Sequence, residues 1–229
     1  MKPYQKIPIQ DCGDSLVAIP EQHFAFEIPH PYQKLGAPYK EVSPYMLRQG
    51  VLEALKQAQK QLQIKQPGWR IKIFDAYRPV AVQQFMVDYT FQTLRQQLPH
   101  EPEEAIAQQV AQFWAQPSEN PETPPPHSTG AAIDIALVNE QGETLDLGSE
   151  IDELSSRSYP DFYQAATGHW EQLYQQRRAL LKAVMVEAGF RQHPQEWWHF
   201  SCGDQMWAWL KRQEVPQEVM AYYGRVSEN

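Results

Sequence analysis

The stretch Ala131-Ala132-Ile133-Asp134-Ile135-Ala136-Leu137-Val138 constrains this chain more than any other. Its alternation reads as a short strand, with Ile133, Ile135 and Leu137 on one face and Ala132, Asp134 and Ala136 on the other. The first face needs a core. The second is small apart from one carboxylate and suits the floor of a cleft, since an unpaired charge is rarely buried. Gly130, just before the strand, lets the chain turn sharply so that His127 folds back toward Asp134. Pro124, Pro125 and Pro126 stiffen the approach to His127.

A second stretch, Glu196-Trp197-Trp198-His199-Phe200, has to be read with the first. Two imidazoles and one carboxylate are a donor set for zinc that leaves a position open for water. They leave the ion a net charge of about +1, and that surplus brings a bound water toward a pKa of roughly 7. A nearby Glu can take the proton and pass it to a leaving amine. We therefore expect His127, Asp134 and His199 to hold one divalent ion per chain, zinc, with Glu196 as proton shuttle. Residues three apart on a regular strand face opposite ways, so both Glu196 and His199 can serve the ion only if the backbone bends. The expectation is that Glu196 sits at the strand entry, after the turn at Pro194, with Trp197 and Trp198 anchoring the strand's two faces. Taken singly, a His is usually a surface or hydrogen-bonded residue.

Together with Asp75-Ala76-Tyr77-Arg78-Pro79, the strings H-S-T-G-A-A-I-D and E-W-W-H-F resemble the D-alanyl-D-alanine dipeptidases, zinc enzymes known from vancomycin resistance. Order and spacing match over roughly residues 20 to 210. The resemblance implies that His127, Asp134 and His199 bind zinc, that Glu196 is the general base and acid, and that Arg78 steadies the charge of the tetrahedral intermediate. On its own Arg78 would read as a surface salt-bridge partner. Residues 146–155 resemble the loop lining the substrate pocket, where Asp152 would meet the substrate ammonium. Ser128 and Asp75 are further candidate substrate contacts, Asp75 with the alternative task of holding Arg78 in place. The family's Ser two residues before the first His is Pro125 here, which removes any contact made by that hydroxyl. The implied substrate is a small D,D-dipeptide. Two other readings use the same residues: a D,D-carboxypeptidase with an open groove, and a zinc-stabilised binding domain without turnover.

The chain has 229 residues, enough for one domain (1–229) with a sizeable core. With 42% hydrophobic and 21% charged residues the composition is that of an ordinary globular protein. A net charge of −8 argues against a nucleic-acid partner held by phosphate contacts, and no apolar run approaches a membrane span. Met1 to Lys6 lacks the apolar stretch of a secretory signal, so a cytoplasmic location is expected. Cys12 and Cys202 lie too far apart to read as a disulfide framework. Oligomeric state is not legible.

The expected fold class is α+β, with a small, mostly antiparallel sheet flanked by helices and the cleft on its other face. The resemblance implies the fold shared by D,D-peptidases and hedgehog signalling domains. Residues 1–42 read as an irregular segment with one or two short strands, in which Phe24, Tyr32 and Tyr39 pack over the domain. Whether Tyr32 or Tyr39 reaches the cleft stays open. Ser43-Pro44 reads as a helix start, with Leu47, Val51, Leu55 and Leu62 as the buried stripe. A strand over Arg70–Phe74 delivers the Asp75–Arg78 segment. Helices follow from Pro79 to about Leu98 and from Pro102 to near Ala115. After the Asp134 strand, Asn139–Gly142 reads as a hairpin turn with Leu145 and Leu147 on a return strand. Residues 148–168 form a long irregular segment, Trp170–Ala188 a helix closed by Gly189, and a short helix follows Gly203.

Overall fold

The computed structural model describes residues 2–227, so Met1 and the last two positions of the expected 1–229 domain lie outside the described residues. Its strands are β1 (Leu16–Ala18), β2 (Ala25–Phe26), β3 (Met46–Arg48), β4 (Arg70–Asp75), β5 (Ala132–Val138), β6 (Arg191–Gln192) and β7 (His199–Ser201). Its helices are α1 (Pro31–Lys34), α2 (Gln49–Lys65), α3 (Val80–Gln97), α4 (Glu103–Phe113), α5 (His169–Glu187) and α6 (Gln205–Glu214). Five strands form one sheet in the order β2-β4-β5-β7-β6. Only β2 against β4 is parallel; the other pairs are antiparallel. The architecture is α+β, as expected.

Strand β5 is central in that sheet and buried along its whole length. Ile133, Ile135 and Leu137 join one core with Val51, Leu55 and Leu62 of α2, Leu181, Val184 and Met185 of α5, and Phe190 and Phe200. Burying each such side chain stabilises the fold by roughly 1.5–3 kcal/mol before conformational entropy is set against it. A second core joins Tyr32 and Tyr39 to Val82 and Met86 of α3 and Ile106 and Val110 of α4, with Trp114. The aromatic residues of the amino-terminal segment thus tie it to the helical flank. No helix among the described residues is long and apolar enough to cross a membrane.

The stretch after Ser43-Pro44 corrects the expected helix start. Residues 46–48 are strand β3, paired with β1 so that Leu47 lies opposite Val17, and the helix begins only at Gln49. Extended backbone is needed here. The Pro44 carbonyl accepts from the backbone N–H groups of Ala76 and Tyr77 at 3.2 and 2.9 Å, and Arg48 donates through Nε to the Thr129 carbonyl at 2.8 Å. A helix from Ser43 would withdraw both supports from the segments carrying Arg78 and His127. The return strand at 145–147 is also reduced. Val138 bridges Thr144 and Leu145 donates to the Leu137 carbonyl, but Leu147 is carried away by the loop that follows.

Candidate active site

Three chain segments deliver the site. The first is the turn before β5. Pro126–Thr129 form a 3-10 turn closed by Gly130 at φ +69°, in the left-handed region. A Cβ on Gly130 would meet Leu16 Cδ1 at 2.6 Å, so both conformation and space call for glycine. This turn aims His127 back over the sheet. The second is the β5–β7 pairing, which sets Asp134 directly opposite His199, and residues so paired hold their side chains side by side. The third is the end of β4. A register shift between Ile73 and Asp75 brings Asp75 opposite Asp134 and lets the chain leave toward Arg78.

These segments bring His127, Asp134 and His199 together, all buried, with one candidate ligand atom from each within 4.8 Å of the others. His127 Nε2 lies 3.2 Å from Asp134 Oδ2 and 3.2 Å from His199 Nδ1, and His199 Nδ1 lies 3.1 Å from Asp134 Oδ1. Each imidazole has its other nitrogen occupied. His127 Nδ1 donates to the Ala76 carbonyl at 2.7 Å, which leaves Nε2 as the acceptor. His199 Nε2 sits 3.4 Å from Ser201 Oγ, whose hydroxyl donates to Asp204 Oδ2 at 2.9 Å. Outer partners of this kind set tautomer and ring orientation for a metal. Asp134 Oδ1 is buried without a hydrogen-bond partner, an arrangement a cation would satisfy. The donor set therefore fits a divalent ion.

Burial raises the Asp134 carboxyl pKa, but the two imidazoles outweigh it and hold the group well below the usual carboxylate range. Burial lowers His199, against the opposing pull of Asp134. An ionised carboxylate and neutral imidazoles are the forms a metal requires.

Glu196 does not lie on a strand. It sits in the loop joining β6 to β7, and β7 begins only at His199, so Trp197 and Trp198 precede the strand rather than anchoring its faces. The loop is held tightly: Trp197 N–H donates to the Ser158 carbonyl, Gln192 Nε2 to the Trp197 carbonyl, and the indole of Trp197 to Ser149 Oγ. This bend is how Glu196 and His199 come to face one cleft. Glu196 Oε2 is 3.7 Å from His199 Nδ1 and Oε1 is 3.8 Å from His193 Nδ1. Burial, followed by the charges of Asp134 and Asp152, pushes the Glu196 carboxyl well above its ordinary value. His193, also in the cleft, is held well below its ordinary value by burial and by His199 and Lys2.

Arg78 reaches the cleft from behind. Its Nε donates to Asp75 Oδ2 at 2.9 Å, Nη1 to Gln83 Oε1 at 2.9 Å, and Nη2 to the Tyr32 hydroxyl at 3.2 Å and Asp134 Oδ2 at 3.3 Å. Its guanidinium also lies 4.9 Å from the Tyr32 ring and 5.0 Å from the Trp114 ring. Asp75 is fully buried. It takes hydrogen bonds from His30 and Tyr39 as well as Arg78, an arrangement that fits the alternative task of holding Arg78 in place. Ser128 is also buried, with its hydroxyl donating to the Pro125 carbonyl.

Asp152 lines the same cleft, at φ +65°. Its Oδ2 accepts from the Tyr32 hydroxyl at 2.7 Å. Burial, then the charge of Asp134, raises its carboxyl to about 6. A left-handed aspartate is uncommon outside turns, and such backbone persists where the surroundings over-determine it. Arg178 pins the loop on both sides of it, with Nε on the Leu147 carbonyl at 2.6 Å, Nη1 on the Tyr159 carbonyl at 2.9 Å and Nη2 on Ser149 Oγ at 3.2 Å. Sequence reasoning named neither Arg178 nor Gln83, Trp114, Ser201, Asp204, His193 or Lys2 as site residues. Arg178, Trp114 and Lys2 meet the site only through the fold, and for Gln83, Ser201, Asp204 and His193, whose partners lie within five residues, no periodicity or composition signal marks them.

The remaining walls of the cleft include Lys2, Tyr4, Phe113, Trp114, Leu154 and Met206, around a space of about 580 Å³ that includes its open mouth. Residues 25–221 match the model of the M15 peptidase family, described as D-ala-D-ala dipeptidase. The chain belongs to this family. The D-alanyl-D-alanine dipeptidase of Synechocystis sp. is 51% identical over a 240-residue alignment covering 99% of this chain and 97% of that relative. The D-alanyl-D-alanine dipeptidase of Escherichia coli (strain K12) is 42% identical over 77 residues, 32% of this chain and 36% of the relative. A solved structure of the LdcB LD-carboxypeptidase overlaps 90% of this chain and 76% of its own at 16% identity and a TM-score of 0.48, too loosely to carry an argument. As an M15 family member the chain is a peptidase, and its buried His127–Asp134–His199 group could hold the metal of a metallopeptidase.

Proposed function

We propose that this protein is a zinc D,D-dipeptidase that hydrolyses D-Ala-D-Ala. The observation that carries the reading is the buried convergence of two imidazoles and one carboxylate beside a further buried carboxylate, Glu196. The activity for which the relatives are named supports the substrate class. His127 Nε2, His199 Nδ1 and Asp134 would hold the ion, which when bound supplies a Lewis acid and acidifies water.

The chain's own groups do the rest. Glu196 takes a proton from the attacking water as its oxygen adds to the scissile carbonyl carbon. It then delivers that proton to the amine as the C–N bond breaks. A carboxyl with a raised pKa suits both halves of that exchange. Arg78, stacked and braced by Asp75 and Gln83, offers a permanent charge to the developing oxyanion, a contribution of about 3 kcal/mol for a well-placed donor. Asp152 meets the ammonium of the first residue. The walls formed by Lys2, Tyr4, Phe113, Trp114 and Leu154 favour a short substrate over a long stem peptide.

The test is metal analysis of the purified protein together with cleavage of D-Ala-D-Ala and of a pentapeptide stem. We expect one zinc per chain, cleavage of the dipeptide alone, and loss of both metal and activity on chelation. Glu196→Ala should keep the metal and lose turnover. Activity surviving that change would refute the proton-shuttle role, and preferential cleavage of the pentapeptide would replace the dipeptidase reading with a carboxypeptidase.

A further inference from the structure

We propose that the ammonium of Lys2 receives the free carboxylate at the carboxyl-terminal end of the dipeptide, making the amino-terminal segment a specificity element of the site. This rests on the dipeptidase reading above.

Three observations carry it. First, Lys2 is built into the cleft wall. It is half-buried, and its backbone N–H donates to Gln5 Oε1 at 2.8 Å at the head of the 3-10 turn Pro3–Lys6. That turn is fastened to the body of the protein. Gln205 of α6 donates through Nε2 to the Ile7 carbonyl at 2.7 Å, Ile7 packs in a core with Trp207 and Ala208, and Tyr4 is buried.

Second, the charges in the cleft leave Lys2 for this task. The lining carboxylates are Asp134, Asp152 and Glu196, and the permanent cations are Arg78 and Lys2. Arg78 is braced by Asp75, Gln83, Tyr32 and Asp134 at the place assigned above to the oxyanion, which leaves Lys2 for the carboxylate. Among the described residues no carboxylate lies within ion-pair distance of the Lys2 ammonium. Burial lowers its pKa, with Glu196 as the opposing influence, so the group sits where an added anion would be favourable.

Third, the direction of the reaction fixes which substrate end lies where. Glu196 protonates the leaving amine, so the leaving residue lies on the Glu196 side, and its carboxylate is only one carbon from that amine. Lys2 is the cation on that side, felt by both Glu196 and His193. Asp152 lies toward Arg78, since Tyr32 bonds to both. An ammonium at Asp152, a carbonyl at Arg78, an amine at Glu196 and a carboxylate at Lys2 follow the order of groups along a dipeptide. A peptide extended at its carboxyl end would have no charge to offer Lys2.

The experiment compares D-Ala-D-Ala with its carboxyl-terminal amide in the zinc-loaded wild type, Lys2→Met and Lys2→Arg. A charge-assisted contact of this kind accounts for roughly 10- to 100-fold in affinity. We expect Lys2→Met to raise KM for the free acid by about that factor, to leave kcat nearly unchanged, and to leave the amide's kcat/KM within about twofold. Lys2→Arg should recover most of the free-acid preference. Calorimetric binding of the same two ligands to Glu196→Gln protein, with and without Lys2→Met, gives the same comparison without turnover. Equal losses for acid and amide, or no loss for either, would overturn the Lys2 assignment while leaving the dipeptidase reading standing. Failure of the free acid to bind protein with Lys2 intact would overturn both.

Discussion

Asp152 is where physical chemistry and sequence pattern part company. Only the family resemblance, not composition or periodicity, sets it apart from Glu150 or Glu153; its left-handed backbone and its contact with Tyr32 come from the fold. Its carboxyl is raised to about 6 by burial and by Asp134, above the ordinary 3.8. A raised acid favours folding in its protonated form. That stability is fully present below about pH 4 and is lost as pH rises through about 6. Asp152→Asn should therefore raise the melting temperature of the metal-free protein by a few degrees at pH 8 and leave it nearly unchanged at pH 4. The same change should raise KM for the dipeptide by about tenfold or more, since an ammonium would lose its ionic partner. An Asn variant less stable at pH 8 would show that burial of this charge is not what shifts it. His127, Asp134 and His199 could be named from residue type and spacing. For Asp75 the sequence left two tasks open, and its contact with Arg78 fits the second; Ser128, beside a ligand in sequence, turns its hydroxyl to the Pro125 carbonyl.

At the scale of elements, two joints aim the site. The Pro126–Gly130 turn is one. Gly130→Ala forces a Cβ into left-handed backbone and against Leu16, so it should destabilise the protein by about 1–3 kcal/mol in denaturant titration. Adding Leu16→Ala should not recover the full loss, because it relieves the contact and leaves the backbone strain. The other joint is α5 against the loop that carries Asp152. Arg178 is buried between the rings of Tyr163 and Trp197 at 4.9 and 5.3 Å, with no carboxylate within ion-pair distance among the described residues. Its donors go to loop carbonyls and Ser149. Arg178→Met keeps the bulk and strands those acceptors. We expect new proteolytic cleavage within residues 148–163 and a higher KM, with α5 itself intact by circular dichroism. The helices and β5 were legible because their periodicities are strong. The 43–48 segment was not, because its extended form is imposed by carbonyls and an arginine that serve distant strands.

For the whole molecule, the ligands come from two segments that only the sheet unites, so metal affinity is linked to global folding. Chelation should lower the melting temperature, and added zinc should raise it in proportion to the logarithm of its concentration above the dissociation constant. Asp134→Asn should lose that concentration dependence in differential scanning fluorimetry. A wild-type melting temperature indifferent to zinc would mean that the three side chains do not bind it in the folded state.

The sequence by itself determined the chemistry on offer. The donor types, the strand that carries Asp134, the helices with clear apolar stripes and the family resemblance all follow from residue identity and short-range spacing, which local sterics and burial translate directly into structure. Only the tertiary structure decided what that chemistry faces. It opposed His199 to Asp134 across two strands and bent the β6–β7 loop to admit Glu196. It also turned Ser128 and Asp75 inward and brought Lys2 and Arg178 beside partners far away in the chain. Those outcomes depend on packing between remote segments, where each contact exists only once the others have formed, and no window of sequence contains both sides of such a contact.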